Sequence, residues 1–113
     1  MNGDCYMVAA KLVTDGGAPD GAVLCHGTCT GQGPIEGVAF GHAWVEYEGR
    51  VGPWPVTMVI DKSNGCNWHA PAPGYYSLGE CRDVVRYTAD EARAMMREHE
   101  HFGPWHEERG GVA

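Results

Sequence analysis

Apolar and polar positions along this 113-residue chain change period several times. Between residues 4 and 14, Tyr6, Ala9, Ala10 and Val13 recur at a spacing that gives a helix one buried face. Asp4 stands where a capping residue belongs, Ala9 to Leu12 favour helix, and Asp15-Gly16-Gly17 stops it. GGAPDG at 16 to 21 predicts a turn, Ala22 to His26 a short strand, and 27 to 37 a Gly-rich loop. From Val38 to Glu48 the period is two, with Ala43, Val45 and Tyr47 alternating against His42, Trp44 and Glu46. Gly49 to Pro55 predicts a turn, Val56 to Asp61 a buried strand, 62 to 74 a loop, and about 80 to 87 another strand. Thr88 and Glu91 form a capping box that opens a final helix through ADEARAMMREHE. The tail from 102 is broken by Gly and Pro, which predicts loose order.

The order is one helix, a run of antiparallel strands, then one helix. That is α+β, with an N-terminal helix packed on an antiparallel sheet and a C-terminal helix beside it. The length fits a single domain over 1–113. No repeat, linker or low-complexity segment interrupts it.

Composition narrows the possible partners. The net charge is −7 and the few Lys and Arg do not cluster, so phosphates would be repelled. Neither nucleic acid nor an anionic membrane surface is favoured. No apolar run approaches the ~20 residues needed to span a bilayer. No basic start followed by an apolar core suggests a signal peptide. The odd count of five cysteines fits free thiols in a reducing cytoplasm better than a paired disulfide framework.

Three side chains then stand out. Cys5 falls in the first turn of the first helix, His42 opens the strand GHAWVEY, and Asp61 closes the next strand, 19 residues on. A sulfur attacks as thiolate, and a helix N-terminus carries positive dipole and unpaired N–H groups that favour an anion. An imidazole in reach accepts the thiol proton, and a carboxylate on its far nitrogen fixes the ring. Neighbouring antiparallel strands place such side chains about 5 Å apart at Cβ. Against this, Cys5 also reads as a small core residue, His42 as a backbone-bonded strand histidine, and Asp61 as a cap on the Lys62 to Gly65 turn.

Gly3-Asp4-Cys5-Tyr6 at a helix start, His-Ala-Trp-x-Glu over 42 to 46, and an aspartate ending the following strand resemble the transglutaminase-like branch of the papain-like cysteine peptidase superfamily. The resemblance covers roughly residues 2 to 65. HAWVE is its most specific part, and Tyr6 stands where the family usually has Trp. The small size also resembles minimal papain-like domains of phages and bacteria, implying the cytoplasm of a bacterium or an infected host cell. The resemblance implies a catalytic helix on an antiparallel sheet and thiol chemistry on an amide or ester carbonyl of a peptide or protein substrate, without metal or cofactor. It makes Cys5 the nucleophile, His42 base and then acid, and Asp61 the group that orients His42. It places the Cys5 N–H in an oxyanion hole, with the Asn2 side chain as a second donor and Tyr6 and Trp44 as core or cleft-lining residues available to substrate. The family's longer segment ahead of the cysteine is replaced here by four residues, which leaves one wall of the usual cleft either missing or supplied by the 27 to 37 loop.

Other readings compete. Papain-like packing without a working triad would make a binding module. Cys25-His26-x-x-Cys29 with Cys66-x-x-His69 and Cys81 would assemble a zinc site, although these spacings lie near and not at knuckle geometry. The histidines of HEHFGPWH, 99 to 106, read as a solvated helix end, because His99 and His101 do not share a helical face.

Overall fold

The computed structural model describes residues 4–31, 37–63 and 67–105. Among them the chain runs α1 (Cys5–Thr14), β1 (Val23–Thr30), β2 (Ala39–Val51), β3 (Trp54–Asp61), β4 (Trp68–Pro71), α2 (Ala72–Gly79), β5 (Arg82–Tyr87) and α3 (Ala89–His99). The strands form one antiparallel sheet in the order β4-β3-β2-β1-β5. The α+β class is as the sequence implies, with β4 added inside the stretch read as loop and α2 starting at its end.

Helix α2 changes the layering. Successive strand residues face opposite sides of a sheet, and here both sides are covered. Leu24, Ala43, Val45 and Ile60 pack with Ala9, Ala10 and Val13 of α1 and Ala92 and Met95 of α3. Cys25, Cys29, Trp44 and Val59 pack on the other side against Ala72 and Tyr75 of α2. The alternation in β2 therefore does not separate core from solvent. His42, Trp44 and Glu46 are buried along with Ala43 and Val45.

Two expectations about chain ends need correction. Asp4 occupies the N-cap of α1 but makes no side-chain capping bond, because its backbone is already helical (φ −90°, ψ −4°) where a capping side chain needs an extended one. Thr88 is extended (φ −68°, ψ 169°), and its capping box with Glu91 forms in full. The tail past 102 is not loose at its start. Trp105 is fully buried, with its ring 5.0 Å from His26 and 5.1 Å from Tyr87, and its Nε1 donates to His101 O at 2.9 Å. Burial of a large aromatic outweighs the local Gly-Pro signal. His99 and His101 are half-buried, not solvated. His106 lies outside the described residues.

Candidate active site

Strand β2 outruns β3 at one end. Their pairing starts at Val45↔Ile60, so residues 39–43 of β2 pair with β1 and have no β3 partner among the described residues. The first turn of α1 lies over this end. A Cβ on Gly41 would stand 2.6 Å from Tyr6 Oη, so the absence of a side chain at Gly41 admits the tyrosine. Cys5, one residue earlier, is the first residue of α1.

His42 and Asp61 meet across this notch. His42 Nε2 lies 2.8 Å from Asp61 Oδ2, with both residues buried. Asp61 is held from every side. Tyr75 of α2 donates its hydroxyl to Oδ2 at 2.7 Å, and Ser63 donates its backbone N–H (3.1 Å) and hydroxyl (2.7 Å) to Oδ1. The catalytic and turn-capping readings of Asp61 thus occupy different oxygens of one carboxylate.

The electrostatics follow from this packing. Burial alone would lower the His42 pKa, but the Asp61 hydrogen bond and then the Cys5 side chain raise it to about 9. Burial alone would raise Asp61, but the bonds from His42 and Tyr75 bring it down to about 2. Burial, and then the neighbouring Asp61, push the Tyr75 phenol well above its usual range, so it stays a donor. His42 Nδ1 has no hydrogen-bond partner among the described residues. The Cys5 side chain is close enough to His42 to raise its pKa.

A cleft of about 190 Å³ opens beside His42, walled by Cys29, Phe40, Trp68, Tyr75, Leu78 and Cys81. Cys5 is 5% exposed and is not among its lining residues.

The structure thus brings together His42 and Asp61, with Cys5 near them. It sets the other named residues apart. Trp44 is fully buried, donates Nε1 to Glu46 Oε2 at 2.9 Å and packs on Tyr75 and Tyr76, so it offers no surface to a substrate. Tyr6 turns inward onto His26, ring to ring at 4.8 Å. Asn2 lies outside the described residues, as does Cys66. Cys25 and His26 face opposite sides of the sheet and His69 bonds Tyr47, so these candidate zinc ligands do not converge. No group of three His, Cys, Asp or Glu side chains among the described residues is placed to hold a metal.

Sequence reasoning missed Tyr75 and Ser63. Ser63 carried a signal: a serine two residues after an aspartate favours a local side-chain turn. Tyr75 carried none, because Pro71-Ala-Pro-Gly74 reads as loop, although proline is tolerated in a first helical turn, as here in α2.

A buried His–Asp pair beside a thiol at a helix N-terminus is the arrangement these residues define. No protein-family model, curated protein or solved structure matches the chain. Among the described residues no helix is long and apolar enough to cross a membrane.

Proposed function

We propose that this chain is a thiol-dependent hydrolase or acyltransferase acting on an amide or ester carbonyl of a peptide or protein, on a papain-like, transglutaminase-like core. The observation that carries this reading is the division of labour on His42. Nε2 is committed to the Asp61 carboxylate, and Nδ1 has no hydrogen-bond partner among the described residues, with Cys5 near enough to act on the ring. A structural histidine would use both nitrogens for packing.

With its pKa near 9, His42 is an imidazolium at neutral pH. In the proposed mechanism the Cys5 proton passes to His42 before the attack. In this mechanism the Cys5 sulfur attacks the carbonyl carbon, and the developing oxyanion takes the unpaired N–H groups at the start of α1. His42 gives its proton to the leaving amine or alcohol, leaving an acyl group on sulfur. The neutral imidazole then takes a proton from an incoming water or amine, and the thiol ester is resolved. Asp61 holds the ring in place throughout.

The burial of Cys5 favours a second reading, a binding module in which the thiol never meets a substrate. Alkylation with iodoacetamide, mapped by mass spectrometry, separates the two. The enzyme reading expects Cys5 to react faster than Cys25, Cys29 and Cys81 in wild type, and to lose that advantage in His42→Ala. Equal rates at all four sites would overturn it. An electrophilic acyl probe that labels Cys5→Ala as fully as wild type would do the same.

A further inference from the structure

We propose that Cys29 and Cys81 are a redox-active pair that closes to a disulfide, tying the end of β1 to the junction of α2 and β5. This does not depend on the chemistry assigned to Cys5.

The geometry is already close to that of the bond. The two sulfurs lie 3.1 Å apart as free thiols. Strands β1 and β5 pair as far as Thr28 opposite Arg82, and Cys29 and Cys81 are the residues that follow and precede that last pair. Directly opposed residues in such a pair have Cα atoms about 4.5–5.5 Å apart, inside the roughly 4.4–6.8 Å that a disulfide spans. Room is provided by Gly79, the last residue of α2. A Cβ there would stand 3.1 Å from Cys81 Sγ and 4.0 Å from Cys29 Sγ.

Access and reactivity favour the same pair. Both cysteines line the cleft beside His42, and Cys81 is only half-buried. The contact between the two thiols lowers the Cys81 thiol, and the same contact, with burial, raises Cys29. Cys81 is the more exposed of the two, which makes it the attacking sulfur and Cys29 the resolving one. Cys25 is fully buried and its thiol is pushed up by that burial, so it does not compete.

The oxidant is a small-molecule disulfide such as oxidised glutathione. The Cys81 thiolate attacks one of its sulfurs, the oxidant's S–S bond breaks, and the second half leaves as a thiolate that takes up the proton Cys81 lost. Cys29 then loses its proton and attacks the Cys81 sulfur of the mixed disulfide, and the first half departs as a thiol. Two protein thiols are oxidised and one disulfide is reduced to two thiols. The closed loop contains β2, β3, β4 and α2, and with them His42 and Asp61.

The test is to incubate the full folded chain with mixtures of reduced and oxidised glutathione, block the remaining thiols with a maleimide, and read intact mass and peptide maps. The expected result is loss of two of the five thiols as glutathione turns oxidised, with the cross-link mapping to Cys29 and Cys81. The Tm should rise by on the order of 10 °C over the reduced form. Cys29→Ser should trap a glutathione adduct on Cys81 and show no comparable rise. Five thiols persisting in folded wild type at the highest oxidised ratio would overturn the proposal. So would a cross-link to a different cysteine, or a stable glutathione adduct on wild-type Cys81 beside a free Cys29.

Discussion

Tyr75 and His42 bind the same oxygen of Asp61, at 2.7 and 2.8 Å, so the carboxylate that orients the imidazole is itself anchored by α2. Tyr75→Phe keeps the ring packing and removes one donor from a buried carboxylate. The expected loss is about 1–2 kcal/mol in chemical denaturation, together with slower alkylation of Cys5. A variant indistinguishable from wild type in both measurements would mean that the anchor is idle.

The His42–Asp61 pair sets a pH window for stability. His42 is raised from its ordinary value near 6.5 to about 9, so its contribution is complete below 6.5 and lost as pH climbs through 9. Asp61 is lowered from 3.8 to about 2, so its contribution is complete above 3.8 and lost as pH falls through 2. The His42–Asp61 bond is the largest favourable cause of both shifts, each of which corresponds to on the order of 3 kcal/mol shared with Cys5 on one side and with Tyr75 and Ser63 on the other. The difference in unfolding free energy between wild type and Asp61→Asn should peak between about pH 4 and 6.5 and shrink toward pH 9. A flat difference across that range would contradict the assigned pairing.

Glu46 centres a second buried network, accepting from Trp44 Nε1 at 2.9 Å, Arg86 Nε at 3.1 Å and the Tyr76 hydroxyl. The Arg86 side chain is about half exposed (51%), so its ion pair is screened by solvent. Arg86→Ala should cost less than about 1 kcal/mol. Glu46→Ala strands a buried indole N–H and should cost about 2–4 kcal/mol. Thermal unfolding of the two variants checks the order, and the reverse order would show that the arginine carries the network.

Trp105 ties the segment after α3 to the core through His26 and Tyr87. Trp105→Ala should cost about 3–5 kcal/mol, a large part of the stability of a domain this size. A shift of only a degree or two in Tm would return the segment to the status of a loose tail.

Gly27 leaves space that β1 needs. A Cβ there would stand 2.7 Å from Trp44 Cη2 and 3.1 Å from the backbone oxygen of Arg82. Because the second neighbour is backbone, relief requires β1 and β5 to move apart. Gly27→Ala should destabilise by about 1–3 kcal/mol, and an unchanged denaturation midpoint would show that the strands yield freely.

The legible parts of this fold are those whose signals are local. The capping box at Thr88 and the helical face of Ala9, Ala10 and Val13 required only neighbouring residues. The approach of His42 to Asp61 was legible because the two stand at the same end of adjoining antiparallel strands joined by a turn, just past where the pairing stops. What depended on distant partners was not. Trp105 is ordered by His26 and Tyr87, and α2 exists where Pro and Gly argue for loop because Ala72 and Tyr75 cover an apolar sheet face. The burial of Trp44 follows from that covering, which is why a residue read as available to substrate lies inside.

Tyr75 and Tyr76 are neighbours on one short helix, yet the first holds Asp61 and the second holds Glu46. If α2 lifts away, both carboxylates lose a donor in the same event. The two ends of this sheet face therefore belong to one opening unit, and their amides should exchange hydrogen with solvent together.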